Sequence, residues 1–202
     1  RESGDFERLP SNWTVDFRRL YNFTEVGRAD LTPPEGSPNV AMKTDTQLVD
    51  PLKNLPLGSF GGPSSTPPEE LNLAFRNLTR ANMVELASGQ EMAAHMGITP
   101  LTAAKLTQGL PASLKSVGTQ APLWYYILRE AELNGGKLTG VGGRIMAETF
   151  HRAMEGSEHS IVRDIAFRPT ALVANPGDRF NMTDLLLFAF EGRADLLNPL
   201  GD

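Results

Sequence analysis

Cysteine is absent from this 202-residue chain, which removes disulfides, thiolate metal sites and cysteine nucleophiles in one step. The compartment stays open, because secreted proteins without cysteine are ordinary. Histidine is scarce, with three residues (His95, His151 and His159), so imidazole chemistry has few sources. Positive charge is also short: 19 Lys and Arg stand against 24 Asp and Glu, a formal charge of −5. That balance favours solubility and excludes a general attraction to nucleic acid or anionic lipid. Long apolar runs are missing too. A stretch such as Asp184-Leu-Leu-Leu-Phe-Ala-Phe190 falls far short of the roughly 20 residues that a membrane-spanning helix needs. No signal-peptide pattern is found. Strand patterns are equally thin, since Thr170–Ala174 is bracketed by Pro169 and Pro176.

What is present reads as globular and mainly α. Hydrophobic residues make up 40% and charged residues 21%, enough apolar material for one ordinary domain with a core. Residues 1–67 read as an irregular, Pro-rich segment packed on a helical body, because Pro10, Pro33, Pro34, Pro38, Pro51, Pro56, Pro63 and Pro67 leave no room for a long helix. Trp13, Phe17, Leu20, Tyr21 and Phe23 are its apolar anchors, which favours ordered coil over linker. The helical body spans residues 68–202. One helix is expected from Pro68 through Met83, with Glu69 and Glu70 in a first turn that favours anions. Ser88-Gly-Gln-Glu91 is a capping box for a short helix closed by Gly97. Thr99-Pro100 opens the next helix. Pro122 starts one running to Leu133, Val141–Met154 forms another, and Asn181 or Thr183 caps the last. The apolar faces place Leu71, Phe75, Leu78, Trp124, Ile127, Leu128, Ile145, Phe150, Leu186 and Phe190 in the core.

Most constellations with chemical potential have a plainer reading. No two histidines make the i, i+3 or i, i+4 pair of a helical metal site, so solvent or helix-end positions are expected for all three. Gly140-Val-Gly-Gly-Arg144 follows a helix rather than a strand and reads as close helix packing, not a nucleotide loop. Ser88-Gly89 lacks the surroundings of a nucleophile elbow. Trp124, Tyr125 and Tyr126 read as core, and Glu130-Ala-Glu132 as a solvated face. The four Asn-x-Ser/Thr sequons, at Asn12, Asn22, Asn77 and Asn181, match chance in an Asn- and Thr-containing chain.

Five blocks in one order carry a family resemblance. They are Thr46-Gln-Leu-Val-Asp-Pro-Leu-Lys-Asn-Leu-Pro-Leu-Gly-Ser-Phe60, Leu73-Ala-Phe-Arg-Asn-Leu-Thr-Arg80, Leu86-Ala-Ser-Gly-Gln-Glu91, Ala121–Leu133 and Leu138-Thr-Gly-Val-Gly-Gly-Arg-Ile-Met-Ala-Glu148. Together they resemble the C-terminal portion of the catalytic domain in the animal-type haem peroxidase superfamily, in its bacterial form. The resemblance implies the C-terminal helical part of that fold with a coil-rich N-terminal third, the whole being one partial domain. It implies haem as cofactor and peroxide-dependent oxidation, a task of oxidative-stress chemistry, as the activity of the complete protein. Asn77 matches the asparagine that accepts the proximal imidazole N–H, and Arg80 matches a basic residue at a haem propionate. Arg76 competes with Arg80 for that place. Ala81-Asn-Met-Val-Glu85 departs from the continuation seen in animal members.

No catalytic residue and no iron ligand is identified in this chain, because the distal and proximal histidines are expected before residue 1. The missing N-terminal part is therefore the implied partner, and the chain alone is expected to be inactive. Two alternatives stand beside this: a non-catalytic helical scaffold or interaction module derived from the fold, and a fatty-acid dioxygenase of the same superfamily.

Overall fold

The computed structural model describes residues 14–33, 39, 41–58, 63, 65–167 and 180–198. Its described residues are mainly helical and contain no strand; Ser88 and Pro122 form an isolated bridge. They cluster into two compact units, 42–162 and the pair of segments 1–41 and 163–202. Residues on both sides of position 67 therefore share the first of these units. The expected short strand at 170–174, and Asn12 and Trp13, lie outside the described residues.

Among its described residues, unit 42–162 holds six α-helices: α1 (Asp50–Lys53), α2 (Leu73–Met83), α3 (Gly89–His95), α4 (Ala103–Thr107), α5 (Leu123–Leu133) and α6 (Gly140–Gly156). The expected helix from Pro68 is broken. A 3-10 turn over Pro68–Leu71 stops at Asn72, whose side chain accepts hydrogen bonds from the Ala74 and Phe75 N–H groups at 2.9 and 3.2 Å. A side chain that satisfies two orphan donors starts a new helix more effectively than Pro68 extends the old one. The α4 start also moves. Thr102 rather than Thr99 caps it, accepting from Lys105 N–H at 3.4 Å. Ser88 and Glu91 do form the expected capping box, and Gly97 closes α3 in the left-handed region at φ +66°.

The core of this unit is Ala93, Leu106, Ala121, Leu123, Tyr126 and Val141, where α3, α4, α5 and α6 meet. Gln90 ties two of its edges, donating to Gly118 O at 3.2 Å and accepting from Ala121 N–H at 2.9 Å. Tyr126 is fully buried, and its hydroxyl accepts from Leu101 N–H at 2.8 Å. Tyr125 donates its hydroxyl proton to Leu106 O at 2.7 Å. Burial is tolerated by both rings because each polar end has a partner. The glycines at the α6 start pack closely, as expected: a Cβ on Gly142 would stand 3.1 Å from Ile127 Cβ.

Three expected core residues are exposed instead: Phe75 (44%), Leu78 (37%) and Phe150 (61%). Leu186 is buried, while Leu71, Trp124, Ile127, Leu128, Ile145 and Phe190 are half-buried. An apolar stripe predicts which face of a helix can be buried, not whether a neighbour covers it. No residue of α2 is fully buried, and α6 buries only Val141 and Gly142.

The expectation of a solvated Glu130 is also overturned. It is 9% exposed, and its carboxylate accepts from Val141 N–H at 3.2 Å and Gly142 N–H at 3.1 Å. Thr139, the residue in the capping position of α6, makes no side-chain cap, so α5 supplies the acceptor through Glu130. Glu132 is likewise engaged, by Arg129 and by the Thr46 hydroxyl at 3.1 Å. Arg129 reaches α4 as well, donating to Lys105 O at 2.9 Å and to Gln108 Oε1 at 3.0 Å.

The other unit includes 3-10 turns at Phe17–Arg19, Phe23–Val26, Ala29–Leu31 and Ala194–Leu196, with α7 (Met182–Ala189). Phe23, Val26, Leu31, Leu186 and Leu197 form its core, and Phe17 N–H donates to Leu197 O at 2.9 Å. Asn181 and Asp184 form a capping box at α7. Asp16 caps the first turn and pairs with Arg18 and Arg19. Burial raises the Asp16 pKa, but the hydrogen bonds from both guanidinium groups more than reverse this, leaving it below the ordinary value. A lowered folded-state pKa adds stability above the unfolded value of about 3.9 and loses it as pH falls through the folded value. Asp16→Asn is expected to cost roughly 1–2 kcal/mol at pH 7. In urea titrations the gap to the parent chain should close toward pH 2; a gap independent of pH contradicts the assignment.

Candidate functional site

The α2 helix begins where Asn72 resets the backbone, and this sets the direction of every side chain after it. Asn77 and Arg80 are three residues apart, so they lie near one another on the helix surface. Both line a groove of about 550 Å³. Arg76 and Thr79 add polar groups to its wall, while Leu73, Phe75 and Met83 add apolar surface. Asn77 is half-buried and Arg80 exposed.

The two arginines differ in commitment. Arg76 donates through Nη1 to Glu70 O at 3.2 Å. The Arg80 guanidinium has no ion pair or hydrogen bond among the described residues, and neither has the Asn77 amide. An amide and a cation thus point their hydrogen-bonding capacity at the groove. Sequence reasoning missed Phe75 and Met83 as groove residues. The periodicity of Phe75 points to the core, and Met83 is 72% exposed at the helix end.

The three histidines lie elsewhere. His95 is the last residue of α3, His151 is on α6, and His159 follows α6; all are exposed. His159 offers its carbonyl to the Ser157 hydroxyl at 3.1 Å. None of them lines the groove, and among the described residues no group of three or more His, Asp and Glu side chains could hold a metal ion. No helix among those residues is long and apolar enough to cross a membrane.

No family model, curated protein or solved structure matches this chain.

The groove suits one edge of a flat, apolar-bodied anion. Arg80 and Arg76 supply positive charge against the single carboxylate of Glu70, Leu73, Phe75 and Met83 supply apolar contact, and Asn77 offers an amide acceptor. That set fits the edge of a haem but contains no ligand for its iron.

Proposed function

We propose that this chain is the C-terminal part of an animal-type haem peroxidase domain, supplying proximal-side support and a helical wall. Its partner is the upstream part of the same domain, which carries the distal and proximal histidines. The observation that carries this reading is that Asn77 and Arg80, the two residues marked by the resemblance, open onto one groove with their polar ends uncommitted. The exposed Phe75 and Met83 on the same helix provide apolar surface for the upstream part to cover.

When bound, haem supplies the iron at which peroxide is reduced and oxidising equivalents are stored. The chain's own contribution is positional. Asn77 Oδ1 accepts the N–H of the proximal imidazole, fixing the ring's orientation and increasing its electron donation. Arg80 holds a propionate through a charge-assisted hydrogen bond. Leu73 and Phe75 exclude water from the rim, which strengthens both interactions.

Three measurements test this. In the complete domain, Asn77→Ala is expected to raise the reduction potential, because the imidazole loses its acceptor and donates less to the metal. Arg80→Ala is expected to weaken haem retention about tenfold, the worth of one charge-assisted hydrogen bond. Unchanged spectra, potential and retention in both variants defeat the assignment. In the isolated chain, titrated haemin should give no stable His-ligated Soret band and no peroxide turnover. Stoichiometric binding that disappears on replacing His95, His151 or His159 points instead to a ligand within this chain.

A further inference from the structure

A second cleft, independent of the haem reading, lies within unit 42–162 on the side of α2 that carries Ala74 and Leu78. Its volume is about 360 Å³, toward the small end of the range for small-molecule sites. Trp124 and Leu128 of α5 form the facing wall. The third wall is the irregular segment 43–49, which is held in place rather than loose. Thr44 N–H donates to Gly136 O at 3.2 Å, and the Thr46 hydroxyl donates to Glu132 at 3.1 Å. Lys43 lies directly on the α5–α6 turn, since a Cβ added to Gly136 would meet Lys43 Cβ at 2.4 Å. Gly136 also has φ +84°, so glycine serves both the turn and the close approach of this segment.

Four polar groups on the cleft have no partner among the described residues: the Lys43 ammonium, the indole N–H of Trp124, the Thr44 hydroxyl and the Gln47 side-chain amide. The first two are donors only. Asp45, also at the cleft, accepts the Gln47 N–H through one carboxylate oxygen at 2.7 Å, and its other oxygen has no partner among the described residues. An apolar slot with an aromatic wall, one cation and an unused indole donor accommodates a planar apolar body bearing an acceptor. We propose that this cleft binds a small aromatic carboxylate, its ring against Trp124 and Leu128 and its carboxylate taking the hydrogens of Lys43 and Trp124. A charge-assisted bond to Lys43 then orients the molecule, and ring burial supplies most of the affinity.

The test is calorimetric titration of the 202-residue chain with 2-naphthoate, with neutral 2-naphthalenemethanol as comparator. Saturable one-to-one binding is expected with a Kd of about 1 mM or tighter, from a ligand of this size. The neutral comparator should bind about tenfold more weakly, and Lys43→Ala should weaken naphthoate by the same factor. Ala74→Phe fills the slot and should abolish binding, with circular dichroism reporting whether that variant keeps its helices. Lys43 is exposed, so its replacement tests the site even if Ala74→Phe does not fold. Absence of saturable binding overturns the proposal. Equal naphthoate affinity in the parent chain and Lys43→Ala does so as well.

Discussion

Gly89→Ala is expected to destabilise unit 42–162 by about 3 kcal/mol or more, at the upper end for overpacking a core. The added Cβ would stand 2.0 Å from Tyr126 Cγ and 2.2 Å from Tyr126 Cβ, well inside contact distance. Tyr126 has no room to yield. It is 0% exposed, and its hydroxyl accepts from Leu101 N–H, so displacing the ring also leaves a backbone donor without its acceptor. Gly89 cannot retreat freely, because its own N–H donates to Ala121 O at 2.9 Å. Thermal unfolding followed by circular dichroism should show a loss of about 6–12 °C, using roughly 2–4 °C per kcal/mol for a protein of this size. The double variant Gly89→Ala, Tyr126→Leu should cost less than the sum of its parts, because the smaller side chain relieves the clash. A midpoint within 2 °C of the parent, or strict additivity, would show that α3 and α5 are not in this contact.

Glu130→Ala is expected to cost about 2–4 kcal/mol, although a surface glutamate typically costs far less to replace. Its carboxylate accepts two N–H groups in the first turn of α6, at Val141 and Gly142, both buried. Removing it strands both donors and takes a negative charge from the positive end of a 17-residue helix. Glu130→Gln should fall between, since its amide oxygen still accepts while its NH2 group meets another donor. Hydrogen exchange gives the local readout: amides at the α6 start should lose protection more than those of α2 in the alanine variant. Uniform loss across both helices, or none, contradicts a specific capping role. The same contact explains the adjoining glycine. A Cβ on Gly140 would fall 2.1 Å from Glu130 Oε1, and its φ of +49° already disfavours other residues.

The local grammar of the chain was largely legible without coordinates. The mainly helical character, the Ser88–Glu91 capping box, the α5 start at Pro122 and the turn at Gly97 all rest on interactions spanning a few residues. Errors arose where two local signals competed. Asn72 took over from Pro68 as a helix start, and Thr102 took over from Thr99, because each accepts an N–H of its own first turn. Asn77 and Arg80 could be placed near one another from a spacing of three residues, so their shared groove was within reach of sequence reasoning.

What the sequence determined alone is therefore the helical class, most caps, the exclusion of cysteine chemistry and the pairing of Asn77 with Arg80. Tertiary structure decided which apolar faces are covered. Phe75 and Phe150 have the periodicity of core residues yet are exposed, while Ala93, Ala121 and Gly89 are buried without any strong hydrophobic signal. It also decided that Glu130 caps a different helix and that Arg80, rather than Arg76, keeps its charge free for the groove. The reason is one of range. Caps and helical spacing depend on neighbours a few residues away, whereas burial and side-chain commitment depend on groups that only folding brings together.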